Sequence, residues 1–481
     1  MKKGSVYLVL ALIFILSFAL HFYTFKLDTD DYFTLRYIEQ LKEKRTPIFY
    51  DDLSYGGRKI EEPFLFYIIL AVFSFIPLFY KIIPILLVSS LSVLIFFIVK
   101  KYADDTSAII SAIFAAFLPL LFSINLLTPF SLALPLLFLL ILSYLNIEKK
   151  TYLNTFIICS ILLPLTSSLA ILVFVTVLIY FFITIIEERK ISALEKEALL
   201  FSLFVNLLII LLIFRESLLN YGLAFIWQNT PTPVLADYYK EFTIIEALEL
   251  ISPLLLLFGV FGFIVSLRNK QNLFLSSTLV TTLFFLWLKI IPFLLGLVIL
   301  TLSLAGLSSF GLRSLFNFIK YTKFAELRTY LLFAVIILLI ASVIVPSFIL
   351  SSKKEITVDN EVIKGLEFLN VQESDKEAAI IAPYEYGHAI TYFSRNLNVA
   401  DSLFLLAPDA EKRVSDIDTA YLSKSETQVI EIAHHYNARY IILNQDIKEK
   451  YNVTSLEYVK NKECFSKFYD EGISIYRIKC K

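Results

Sequence analysis

The chain has 481 residues, 58% of them hydrophobic and 18% charged, and its 43 basic and 43 acidic side chains cancel. With a mean hydropathy of +0.73 it cannot fold as a water-soluble globule, which needs a charged, wetted exterior. Zero net charge gives no bulk attraction to nucleic acid, so the lipid bilayer is the expected surrounding and function must lie in local sites.

In chain order, the apolar blocks fall at 5–25, 63–79, 82–99, 107–127, 129–145, 151–166, 168–186, 199–214, 247–267, 273–288, 290–311 and 330–350. Most have the length of a helix that crosses a hydrocarbon core. Met1-Lys2-Lys3 before an apolar run suggests a signal peptide, but no small-x-small cleavage site follows and the run continues to Phe25. It reads as an uncleaved first span with a cytoplasmic N-terminus. Block 63–79 is short and carries Pro63 and Pro77. If it stays outside, Lys100-Lys101, Lys149-Lys150, Arg189-Lys190, Arg268 with Lys270, and the cluster from Arg313 to Arg328 all face the cytoplasm. If it spans, all of them move outside, against the positive-inside rule. The first choice gives about eleven spans and puts the C-terminus on the outer face, with loops 26–81 and 215–246. The uncharged stretch 151–186 is too long for one helix, and Pro164 with Thr166-Ser167-Ser168 predicts a turn within it. Few ionisable residues lie inside the spans, which disfavours an ion-coupled transporter.

After Leu350 the composition turns polar. Segments 378–382, 439–444 and 473–478 read as strands, and 360–370 and 387–395 as helices. Ser425-Glu426-Thr427-Gln428 reads as a capping box opening a helix to about Tyr436. The alternation predicts a small C-terminal α/β soluble domain. Asn452-Val453-Thr454 is a glycosylation sequon. Cys159 lies in an apolar block, whereas Cys464 and Cys480 can pair if they face an oxidising compartment.

Candidate chemistry begins at Leu27-Asp28-Thr29-Asp30-Asp31-Tyr32-Phe33-Thr34-Leu35-Arg36, just past the first span. Carboxylates at a membrane edge suit a hard divalent cation, and they equally suit a solvated acidic loop. Asp51 lies in the same loop but outside this run, and its replacement is expected to matter little. Asp30 through Arg36 resembles the Asp-x-Tyr-x-x-x-Arg motif of the oligosaccharyltransferase catalytic subunit, of the GT-C glycosyltransferase class. Tyr50 to Pro63 (YDDLSYGGRKIEEP) is similar to that family's continuation before a non-spanning helix. Pro383-Tyr384-Glu385-Tyr386-Gly387-His388, trailed by Val399-Ala400-Asp401, resembles its Trp-Trp-Asp-Tyr-Gly signature and the Val-Ala-Asp beyond. Ala433 to Leu443 (AHHYNARYIIL) also fits its pattern of helix then buried strand. Thr243-Ile244-Ile245-Glu246 is similar to its Thr-Ile-x-Glu motif, and reads equally as an ordinary helix start.

The resemblance implies an α-helical polytopic membrane domain of GT-C type over 1–350 and an extracytoplasmic α/β domain over 351–481. It implies transfer of a glycan from a polyprenyl (dolichyl) phosphate or diphosphate to asparagine in Asn-x-Ser/Thr of an acceptor polypeptide. Asp30, Arg36 and Glu246 would carry the reaction, with Asp30 and Glu246 holding a divalent cation, Mn or Mg. Tyr384, Glu385, Tyr386 and Gly387 would bind the acceptor. Two departures stand out. The loop Ser123 to Pro135 (SINLLTPFSLALP), where a second acidic motif belongs, has no carboxylate, and Trp-Trp-Asp has become Pro383-Tyr384-Glu385. The four histidines, His21, His388, His434 and His435, show no metal-ligand spacing. A GT-C transferase with another acceptor, or a catalytically silent homologue binding lipid-linked glycan or partner proteins, therefore remain alternatives.

Overall fold

In hydrocarbon, backbone N–H and C=O groups must be satisfied within their own segment, so each apolar block should be helical. The computed structural model describes residues 3–238, 243–267, 272–319, 321, 328–353, 358–371 and 378–480. Its chain divides into a helical unit, Met1–Phe25, Pro63–Ile213 and Tyr238–Lys354, and a mixed unit, Lys26–Glu62, Phe214–Asp237 and Glu355–Lys481.

The long apolar helices of the first unit are Lys3–Thr24, Phe79–Lys100, Asp105–Ala116 running on as Pro119–Ser123, Phe130–Leu145, Lys150–Thr166, Ala170–Ile186, Ala193–Ile213, Pro253–Ser266, Leu273–Trp287, Phe293–Ile319 and Arg328–Lys353. They follow the expected blocks closely. Among the described residues, five helices are both long and apolar enough to cross a membrane by length and composition. Large apolar side chains such as Leu8, Ile15, Phe182, Phe204 and Leu212 stand exposed on the unit's surface, as they do where lipid is the solvent. This is a polytopic membrane domain. Block 63–79 contains only the helix Leu65–Val72, about 12 Å long and under half a hydrocarbon core. The turn anticipated in 151–186 falls at Ser167 to Leu169.

With lipid outside, these helices gain little from apolar burial against one another and depend on close packing and polar contacts. A Cβ on Gly262 would run into the Leu307 carbonyl oxygen, and one on Gly311 into that of Phe258, so Pro253–Ser266 and Phe293–Ile319 touch backbone to backbone. Hydroxyls link other helices: Thr176 Oγ1 donates to Thr281 Oγ1 at 3.2 Å, and Ser266 and Ser276 share a bond of 2.7 Å.

In the mixed unit, strands β1 (Tyr50–Asp51) and β2 (Arg58–Lys59) form a small antiparallel hairpin. The C-terminal sheet comprises β3 (Ala379–Ile381), β4 (Leu397–Asn398), β5 (Ala438–Leu443), β6 (Phe465–Glu471) and β7 (Ile473–Ile478), in the order β4-β3-β5-β7-β6. The first three strands are parallel and the last two antiparallel. The central runs AII and ARYIIL are almost wholly buried. Tyr32 and Tyr55 of the first loop belong to the same apolar core as these strands. Cys464 and Cys480 form a disulfide across the base of the β6–β7 hairpin, and Cys159 is a buried free thiol.

Several expectations need correction. Glu426–His435 is capped by Ser425, but Gln428 turns its side chain to Ser423 instead of back to Ser425 N–H, so the box is half formed. Segment 387–395 is helical as expected, yet widens to a π-helix over Ile390–Ser394. Strands β4 and β6 and the helices Ala410–Leu422 and Gln445–Tyr451 were not foreseen.

Candidate functional site

The run after the first span turns before it becomes helix. Asp28 N–H donates to Asp31 Oδ2 at 2.7 Å, and the backbones of Asp31, Tyr32 and Phe33 reach back to Asp28, Thr29 and Asp30. Helix Asp31–Lys44 follows with Asp30 at its N-cap. The helix is tied to the C-terminal portion by Tyr32, stacked on Tyr392 at 5.5 Å, and by Glu39, which accepts from Tyr392 Oη and Arg395 Nη2.

Asp30 keeps exposed surface, and its Oδ1 accepts from Ser402 Oγ at 2.6 Å. Surrounding protein is nevertheless dense enough that desolvation raises its carboxyl above the usual range, against the opposing pull of His388 and Ser402. Arg36 has a different fate. It is 2% exposed, and Nη1 and Nη2 both donate to Asp51, which is equally buried. Asp51 also accepts from the Leu53 and Ser54 amides. The sequence treats Asp51 as a dispensable loop acid; the structure makes it the partner of a buried guanidinium.

The Ser54-Tyr55-Gly56-Gly57-Arg58 turn locks onto Asn398 to Leu405. Tyr55, at φ 56°, is held there by its N–H to Asn398 Oδ1 (2.8 Å) and its hydroxyl to the Asp401 carbonyl (2.6 Å). Arg58 reaches the Leu405 carbonyl at 3.0 Å and Asp401 Oδ1 at 3.4 Å. Asp401 is fully buried. Burial alone would raise its carboxyl, but His388, Arg58, Ser54 and Asn398 together bring it down to about 2. From the same loop, Glu61 accepts the Glu216 and Ser217 amides at the start of helix Arg215–Tyr221.

Tyr384–Tyr386 is a single 3₁₀ turn between β3 and the helix beginning at Gly387. Tyr384 packs edge-on against Phe404, with Lys450 Nζ 5.0 Å above its ring. Glu385 Oε1 meets Lys450 Nζ at 2.5 Å, and its Oε2 is buried without a hydrogen-bond partner. Tyr386 is buried between Asn444 and Asp446. Gly387 approaches Ala400 and Asp401 so closely that a Cβ would lie 2.7 Å from Asp401 Cα. His388 follows, 1% exposed, with Asp401 Oδ2 3.7 Å from Nδ1 and the Phe33 ring 5.2 Å away. Asp30, Ser402, Asp401, His388 and the Tyr384–Tyr386 turn thus belong to one unit.

Glu246 lies in the helical unit. Its carboxylate accepts from Thr243 N–H (2.7 Å) and Oγ1 (3.0 Å), while Thr243 Oγ1 caps the Glu246 amide. This reciprocal capping box is the ordinary helix start weighed above, and Oε1 is not part of it. The 124–129 loop holds no carboxylate. Among the described residues, no group of three or more His, Cys, Asp or Glu side chains is placed to hold a metal ion. Ser54, Arg58 and His388 fall within the stretches that resemble the family but carry no role there, and Ser402 lies outside them.

No family model matches the sequence, and no curated protein matches it. Solved structures do. AglB, the oligosaccharyltransferase of Archaeoglobus fulgidus in complex with an inhibitory peptide and a dolichol-phosphate, superposes with a TM-score of 0.69 at 13% identity, over 93% of this chain and 70% of that one. The fold is that of GT-C glycosyltransferases. The Archaeoglobus oligosaccharyltransferase in complex with Zn and sulfate gives 0.64 at 13% identity, over 95% and 71%. ArnT from Cupriavidus metallidurans bound to undecaprenyl phosphate gives 0.54 at 11% identity, over 99% and 98%.

Proposed function

We propose that the chain is a membrane glycosyltransferase that moves a glycan from a polyprenyl phosphate or diphosphate to asparagine in Asn-x-Ser/Thr of a polypeptide. The observation that carries this reading is the superposition on AglB, with the Asp30 turn and the Tyr384–Tyr386 turn in one unit. On this reading 1–350 is the membrane domain with outer loops 26–81 and 215–246, and 351–481 is an extracytoplasmic domain. The N-terminus is cytoplasmic.

Asp30 binds the acceptor amide at the membrane edge, where a lipid phosphate and a hydrophilic peptide can meet. Arg36, locked to Asp51, acts by fixing the helix that Asp30 begins. Glu385 offers its unpartnered Oε2 to the hydroxyl at the third sequon position, with Tyr384 as a wall beside it and Tyr386 and Gly387 fixing the turn. A divalent cation, Mn or Mg, would find one accessible carboxylate in Asp30, although no group of three or more His, Cys, Asp or Glu side chains among the described residues is placed to complete its shell. Such an ion supplies charge to offset that developing on the phosphate leaving group.

The test is transfer to a sequon peptide by purified protein with native lipid extract. Asp30→Asn should lower the rate at least tenfold, equivalent to about 1.4 kcal/mol. Equal rates would remove Asp30 from the chemistry, and folded protein without transfer would favour the silent homologue, the reading that the missing second acidic motif supports. A second reading is another GT-C transferase with a different acceptor. Near-complete mutual coverage with ArnT favours it, and glycan loss from the lipid without peptide modification would identify it. For orientation, cysteine placed at Asp401 or Ser54 tests little because both are buried. Exposed Asn452 is the better site: Asn452→Cys should react with an impermeant maleimide in intact cells and Lys149→Cys should not.

A further inference from the structure

The chain contains one Asn-x-Ser/Thr sequence, Asn452-Val453-Thr454. It closes the helix Gln445–Tyr451, whose two ends treat their asparagines differently. Asn444, at the start, is 4% exposed; its Oδ1 accepts from the Ile447 N–H at 3.0 Å and its Nδ2 donates to Tyr386 Oη at 2.9 Å. Asn452, at the far end, is exposed. Its N–H donates to the Glu449 carbonyl at 3.2 Å and the Val453 N–H to that of Lys448 at 2.9 Å, with Asn452 in the left-handed region at φ 52°. Only backbone is used in this closure. Neither the Asn452 amide nor the hydroxyl of Thr454, which is exposed as well, has a hydrogen-bond partner among the described residues. A left-handed helix cap favours glycine and tolerates asparagine, so the cap by itself accounts for Asn452. It does not account for Thr454. Further along the same domain Cys464 is bridged to Cys480, and such bonds persist in oxidising compartments outside the cytoplasm.

We propose that Asn452 is a modification site, carrying a glycan joined through Nδ2 and delivered from a polyprenyl-phosphate- or polyprenyl-diphosphate-linked donor. The proposal rests on the reading that places 351–481 outside the cytoplasm, and not on the chain's own transfer activity. In the step a bond forms between Asn452 Nδ2 and the anomeric carbon of the sugar. The bond from that carbon to the donor phosphate oxygen breaks, its electron pair leaves with the phosphate, and one Nδ2 proton passes to solvent. Asn452 has no side-chain hydrogen bond to give up in this exchange, whereas Asn444 would lose its bonds to Tyr386 and Ile447. The Thr454 hydroxyl supplies the third-position group that marks the asparagine as an acceptor. A sugar here projects into water and adds a bulky, solubilising group to the surface. The competing account, an asparagine kept only as a helix cap, needs no hydroxyl at 454.

The experiment is intact-mass measurement and peptide mapping of the full chain purified from its native membranes. Most copies should exceed the sequence mass by that of a glycan, and the peptide containing Asn452 should carry it. The added mass should be lost in Asn452→Gly, which keeps the left-handed cap, and in Thr454→Val, which leaves the asparagine in place. Thr454→Ser should retain it. Should a variant fail to fold, the peptide map of the wild-type chain decides. A bare Asn452 in the wild-type chain, or a glycan that survives Thr454→Val, would overturn the proposal. The maleimide reaction of Asn452→Cys keeps this result apart from orientation. Labelling together with a bare wild-type Asn452 removes only the glycan, whereas no labelling together with a bare Asn452 removes the outer placement as well.

Discussion

The first loop has two halves built on opposite principles. From Asp28 to Asp30 carboxylates remain near the surface, and Asp30 accepts a hydrogen bond from the Ser402 hydroxyl. From Asp51 to Arg58 every charged or aromatic side chain except Asp52 is buried and committed: Asp51 to Arg36, Tyr55 to Asn398 and Asp401, Arg58 to Asp401 and two carbonyls. The second half holds the loop against residues 398–405 of the C-terminal portion, while the first half keeps its carboxylates toward the surface. Acids of the same type in one loop, Asp30 and Asp51, therefore have different surroundings, set by burial and partners.

The contrast can be broken by removing partners, beginning where the largest loss is expected. Asp51→Ala leaves the Arg36 guanidinium buried and unpaired and should cost about 3–5 kcal/mol, read as a large drop in melting temperature. Pairing Asp51→Leu with Arg36→Met should recover much of it; no recovery would mean that the backbone bonds to Leu53 and Ser54 matter more than the ion pair. Opening the disulfide with Cys464→Ser and Cys480→Ser, at a sequence separation of 16, should cost about 3 kcal/mol in the same melt. Tyr55→Phe loses one hydrogen bond to the Asp401 carbonyl and should cost about 1 kcal/mol. At the small end, Asp30→Asn should change stability by under about 0.5 kcal/mol, whereas the proposed reaction predicts that it removes most transfer. An Asp30 variant that melts as early as Asp51→Ala would erase the distinction between the halves.

The membrane helices were readable because their apolar blocks are long and their flanking lysines and arginines agree on a side. The central strands were readable for a similar reason, being continuous apolar runs. β6 was not: Phe465-Ser466-Lys467-Phe468-Tyr469-Asp470-Glu471 is a polar edge strand with a register shift between Lys467 and Tyr469, which breaks the alternation that marks a strand. β4 is two residues long and sets no period. At the site, Asp30, Arg36 and Tyr384 to Gly387 could be picked out by motif. Their partners could not, because Arg36–Asp51 and Ser54–Asp401 join residues distant in sequence. Nor does sequence reveal that His388 is buried without hydrogen bonds, a property of its surroundings.

Gly387 has a consequence for how this turn can vary. Its backbone rests against that of Ala400 and Asp401 with no room for a methyl group. Main-chain contact has no rotamers, so it works as a fixed stop against which the preceding residues are registered. Tyr384 and Glu385 project from a turn positioned by that stop, and their side chains can be exchanged for others without dragging the backbone with them. Aromatic and acidic groups of different size can therefore be tried at one location, the exposed chemistry changing while the mounting stays where it is.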